Sequence, residues 1–259
     1  MRWTQAEPMA RSIRQGLLFA ILADSIRRSI LSNKVFGVQS LVKGATQMST
    51  NVSVFRQMIP AIGRFLAVAL LLAAATAVIH LEVRWLLGHV GEDSLVEYMQ
   101  ELILAVTVAM FLLLVAKRPA QRGAAVLVGG FFAVLLIREM DSVFDQIVHG
   151  FWKYPAVLLA ATAIGYAYRH PQTTGMPLVA YSRHSSFGLM IAGMAILMVF
   201  SRLFGMGILW NTLMGEQYVR GVKNLAEEGT ELLAYCLIFC SSAWYTLSQL
   251  ADKRSKQPS

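Results

Sequence analysis

"VEYMQELILAVTVAMFLLLVA", residues 96–116, decides the fold. From Leu102 to Ala116 it carries no charged side chain. At 1.5 Å rise per residue this core makes about 22 Å of helix, and a bilayer's hydrocarbon is about 30 Å thick. The polar residues just ahead of it, Glu97, Gln100 and Glu101, therefore enter at membrane depth, unless the bilayer thins to meet them. Residues 123–137 and 154–168 are charge-free cores of the same kind.

Composition extends this reading to the whole chain. Of 259 residues, 56% are hydrophobic and 15% charged; soluble domains carry about 25% charged residues. Mean hydropathy is +0.54. The expected fold is all-α: a polytopic membrane bundle of about six transmembrane helices, near 61–81, 94–116, 120–141, 153–169, 185–204 and 229–250. Residues 1–58 form a basic amphipathic segment and linker, 59–252 the transmembrane domain, and 253–259 a basic tail. "GLLFAILA" (16–23), flanked by Arg11, Arg14, Arg27 and Arg28, is too short to span and suits a helix lying on an anionic leaflet. A signal peptide shares these marks, but no A-x-A site follows.

Lys and Arg set the orientation. With the N-terminus inside, the cytoplasmic side collects Arg56, Arg64, Lys117, Arg118, Arg122, Arg169, Arg183 and both basic ends. Both termini are then cytoplasmic, in a bacterial-type inner membrane. The net charge of +8 is thus membrane-flanking and does not point to nucleic acid. Cys236 and Cys240 lie in an apolar run and read as packing residues, not a disulfide framework.

Twelve of the chain's 15 acids fall on the opposite, outer side, a bias that topology does not require, because Asp and Glu contribute little to it. Counting depth along helices 2, 3 and 6 brings Glu97, Gln100, Glu101, Arg138, Glu139 and Asp141 to one level, with Glu227, Glu228 and Glu231 close by. "AEEGTELLAY" (226–235) repeats the Glu-x-x-x-Glu spacing of "VEYMQELILA" (96–105). Acids at i and i+4 share a helix face and repel unless a proton, a cation or an arginine lies between them. Glu97, Glu227 and Glu228 also suit the positive end of a helix dipole. Glu139 sits at a helix C-terminus, where the dipole opposes an anion. Tyr235 lies one turn beyond Glu231, within reach of the cluster.

Three functions fit this pattern. One is binding or transport of a cation or small solute. A second is a metal-dependent enzyme acting on a lipid or lipid-linked substrate, with Glu101, Glu139, Glu231 and His149 holding a divalent metal ion, since carboxylate and imidazole suit Zn, Mn or Fe. The third is a structural or sensory subunit that meets a membrane-protein partner or a second copy. The sequence contains no P-loop, HExxH, GxSxG or di-iron ExxH pair.

Overall fold

A computed structural model describes residues 56, 58–84 and 94–252. The interfacial helix expected near 16–23, the loop acids Glu92 and Asp93, and the tail 253–259 lie outside the described residues. The chain divides into two compact units, Met1–Phe65 and Leu66–Ser259. The first is described only where α1 begins, and everything below concerns the second.

Every element among the described residues is helical. They are α1 (Met58–Arg84), α2 (Leu95–Lys117), α3 (Arg122–Glu139), α4 (Asp141–Asp145), α5 (Lys153–Arg169), α6 (Gly175–Ser182), α7 (Phe187–Ala195), α8 (Ser201–Gly205), α9 (Gly207–Met214) and α10 (Arg220–Ala251). A π-helical turn, Ile196–Phe200, joins α7 to α8. Four stretches are long and apolar enough to cross a membrane: Met58–Arg84, Leu95–Lys117, Pro119–Glu139 and Phe187–Gly205. The other two expected segments are helical as well. α5 has 17 residues. α10 has 32 residues, but Ser, Thr, Tyr and Glu dilute its apolar character.

That dilution reflects where α10 lies. It packs against α2, α7 and α8, while α3 packs against α2 and α5. The helices follow one another as α5–α3–α2–α10–α7, and α10 carries ten buried residues, all from Glu231 onward. A helix covered by protein has no need of a lipid-like surface, and its Ser241, Ser242, Tyr245 and Thr246 are all buried. α10 also begins at Arg220, not near residue 229. No breaker separates its amphipathic start from its apolar body, and about 48 Å of helix reaches beyond a ~30 Å slab.

Small residues set the crossings, as expected where packing rather than water drives helix association. A Cβ on Gly129 would lie 2.9 Å from Phe111 Cβ, and one on Gly130 would lie 2.6 Å from Ala163 Cβ. This glycine pair lets α2 and α5 close on α3 from two directions. Gly193 brings α7 onto α10, where a Cβ would meet Ile238 Cγ1 at 2.8 Å and the Ala234 carbonyl at 2.9 Å. Aromatic packing fills the centre: Phe111 stacks on Phe132 with centroids 6.0 Å apart, and Tyr181 meets Tyr245 at 4.2 Å with the rings tilted by 42°.

Prolines and polar caps mark the ends. Pro119 opens the 3-10 turn Pro119–Gln121 ahead of α3. Thr173 Oγ1 accepts from the Gly123 N–H at 3.2 Å, satisfying a donor in α3's first turn. Arg118, counted above among the topogenic cations, is buried and donates to the Gln249 and Asp252 carbonyls, capping the C-terminus of α10.

Gly193→Val is expected to lower stability by about 1–3 kcal/mol, the usual cost of overpacking. Gly165→Ala, where nothing lies within 4 Å, is expected to leave stability unchanged or raise it slightly. Thermal unfolding in detergent measures both.

Candidate functional site

The acidic end of the bundle is built from the starts of α2 and α10 and the ends of α3 and α8. Glu231 is buried there, with a side chain 7% exposed. Two cations flank it. Arg202 Nη2 on α8 donates to Glu231 Oε1 at 3.4 Å, and Arg138 Nη2 on α3 stands 3.9 Å from the same oxygen. Arg138 turns its other terminal nitrogen to Glu139 Oε1 at 3.5 Å. Adjacent residues on a helix point about 100° apart; here the long arginine folds back and bridges both acids. Tyr235, fully buried on the same face of α10 as Glu231, donates its hydroxyl to Glu139 Oε1 at 2.6 Å. The unfavourable placement of Glu139 at the end of α3 is thereby offset by a cation and a charge-assisted hydrogen bond.

A second group gathers on the N-terminus of α2. Ser94 and Glu97 form a reciprocal capping box, with Glu97 N–H donating to Ser94 Oγ at 3.0 Å and Ser94 N–H to Glu97 Oε2 at 3.3 Å. Glu82 of α1 accepts from the Val96 N–H at 3.0 Å. Ser94 Oγ donates to Glu228 Oε2 at 3.4 Å. Gln100, buried, donates from Nε2 to the Glu228 carbonyl at 2.9 Å, pinning α2 to α10. Three carboxylates from three helices thus surround one helix end, with no basic side chain bonded to any of them among the described residues. The two groups are electrically continuous: Glu228 feels Glu82, Glu97 and Glu231, and Glu97 feels Glu101, Glu139 and Asp141.

The remaining expected residues fall at the edge. Glu227 pairs with Lys223 at 2.8 Å and packs against Gly205, the last residue of α8. Glu101 is half-buried, near enough to Glu139 to interact electrostatically, but it forms no hydrogen bond or ion pair among the described residues. Asp141 is exposed at the start of α4. His149 is 98% exposed and bonds Asp145 Oδ2 at 2.8 Å, while Asp145 also accepts from Gly150 N–H at 2.7 Å. These contacts close the turn in which Gly150 takes φ +78°. Among the described residues no three His, Cys, Asp or Glu side chains form a group able to hold a metal ion.

Sequence reasoning left Glu82, Ser94 and Arg202 out of the site. Ser94 was legible, since S-x-x-E before an apolar run is a capping-box signature. Arg202 was not. The π-helical turn just before it shifts the helical register, and no sequence period announces that.

One contact at the other end resembles a nucleophile pair. His184 Nε2 lies 3.2 Å from Ser248 Oγ. However, His184 Nδ1 faces the Ser186 N–H at 3.2 Å and Ser186 Oγ at 2.9 Å, and the Ser248 hydroxyl donates to the Tyr245 carbonyl at 2.7 Å. This arrangement ties the α6–α7 turn to α10 and does not activate a serine.

Compared with family models, curated proteins and solved structures, the chain matches none.

Tyr235→Phe is expected to cost about 1.5–3 kcal/mol, the range for hydrogen bonds to charged groups, and Ser94→Ala about 1 kcal/mol through loss of the cap. Denaturant titrations in a fixed detergent report both.

Proposed function

We propose that the chain is a six-span protein of a bacterial-type inner membrane with both termini cytoplasmic. On this reading its acidic end lies beneath the outer surface and binds a cation or small basic solute, for recognition or transport. The observation that carries the reading is the mismatch of charge. Arg138 and Arg202 are engaged by Glu139 and Glu231, and Lys223 by Glu227. Among the described residues, Glu82, Glu97 and Glu228 have only the N-terminus of α2 for compensation, and Glu101 has no hydrogen-bond or ion-pair partner. A helix end supplies about half a positive charge, well short of three carboxylates. Partly buried like charges concentrate cations around them, and ionisable groups at membrane depth face an interior or a cavity. The basic segment 1–58 on anionic lipid completes this arrangement.

The metal-enzyme reading has less support. Arg138 and Arg202 occupy the places where ligands Glu139 and Glu231 would turn toward a metal, and His149 is committed to Asp145. The subunit reading draws on the same excess of carboxylates, which suits a docking face for a basic partner as well as a solute site.

Purified protein titrated with Na, Ca, Mn or spermidine salts at constant ionic strength is expected to show a saturable rise in Tm with at least one of them. The double variant Glu101→Gln, Glu228→Gln is expected to weaken that response about tenfold or more, which is ~1.4 kcal/mol. An identical, non-saturating response to every salt in both proteins contradicts cation binding and favours the subunit reading.

A further inference from the structure

The helix order α5–α3–α2–α10–α7 leaves its two ends unclosed. α3 and α5 meet at Gly130 and Ala163, while α7 is held by α10. Between them lies a cleft of about 600 Å³, inside the range of about 300–1,000 Å³ typical of ligand sites. Its walls include Phe131 and Val134 of α3, Ala160 and Ile164 of α5, and Met190 and Met194 of α7. Its polar surface is negligible.

Neither vacuum nor water suits this space. The cleft is open, with Phe131 and Ile164 exposed at its walls, so the surrounding medium fills it, and apolar walls make full dispersion contacts only with an apolar filling. A buried water needs two to four polar partners, which these walls lack. The cleft lies within residues 127–134 of α3 and 160–164 of α5, inside the charge-free cores of helices read as membrane-spanning. The medium at that depth is hydrocarbon. Methionines at the wall fit an irregular, flexible occupant. One end of the cleft is lined by Ser182 and Phe187. Arg183, next in sequence to Ser182, is exposed, and its side chain has no hydrogen-bond or ion-pair partner among the described residues.

We propose that this cleft holds one hydrocarbon chain of an anionic phospholipid, with the lipid phosphate at Arg183. The inference rests on the membrane reading of the helices and is independent of the acidic end. The lipid completes the bundle as a wedge between α3–α5 and α7, and the cation completes the head-group site.

Nanodiscs containing phosphatidylglycerol with a diazirine near the middle of one acyl chain provide the test. On irradiation, labelling of Phe131, Met190 and Met194 is expected to exceed that of Val157 and Leu158, which face outward on α5, by about fivefold or more (~1 kcal/mol of preference). Ala160→Phe, which fills the cleft, is expected to abolish the excess while leaving labelling at Val157 unchanged. Val134→Phe serves the same purpose if Ala160→Phe fails to fold. Arg183→Gln is expected to let phosphatidylcholine carrying the same probe compete equally. Equal labelling at cleft and outer face, an excess untouched by both filling variants, or crosslinks joining two copies of the chain through these residues would each overturn the proposal.

Discussion

Glu231 organises one end of this protein. A carboxylate so enclosed is costly to ionise without compensation, and α10 carries no cation within one turn of it. The charge has to be met from elsewhere, and Arg138 from α3 and Arg202 from α8 meet it. This requirement fixes the rotation of three helices. α10 must turn Glu231 inward, which also turns Tyr235 toward Glu139. α3 must end where Arg138 reaches both acids. The span leading to Arg202 must deliver it to the same oxygen, and the π-helical turn at Ile196–Phe200 lies immediately before it.

The opposite end is organised by neutral and backbone contacts instead. Arg118 caps the carbonyls of α10, Tyr245 donates to Gln121 Oε1 at 3.2 Å, and His184 joins Ser186 to Ser248. Each of these satisfies groups that a helix end or turn leaves open. The two ends therefore differ in kind. One is basic and bound through backbone and neutral groups; the other carries more carboxylates than cations among the described residues. Between them the bundle is apolar and packed on glycine and alanine, with a cleft beside α3 as one departure from close packing.

Much of this was legible in the chain. Six apolar stretches are six helical stretches, because runs such as 102–116 have no other stable form in hydrocarbon. Counting depth along the helices puts Glu139, Glu231 and Arg138 at one level, since rise per residue is fixed, and Arg138 reaches both acids in the structure. Tyr235 followed from its i,i+4 relation to Glu231. The count could not say which residues touch. It placed Glu101 with the bonded set, and Glu101 stands beside that set without a hydrogen bond or ion pair among the described residues. It also gave α10 too short a length, since an amphipathic start does not look like a span. Glu82 and Glu228 converge on α2 only because α1 and α10 pack there, which is tertiary information. The role of Glu97 was visible as a cap, and its reciprocal bond with Ser94 shows that the simpler reading suffices for that residue.

A double-mutant cycle between Arg202 and Glu231, using Arg202→Met and Glu231→Gln with unfolding free energies measured in one detergent, reaches the centre of this account. Each single change should destabilise the protein, and the pair should show a coupling of about 1–3 kcal/mol, as for contacting residues in one network. Effects that add within about 0.5 kcal/mol, the behaviour of distant sites, would contradict it.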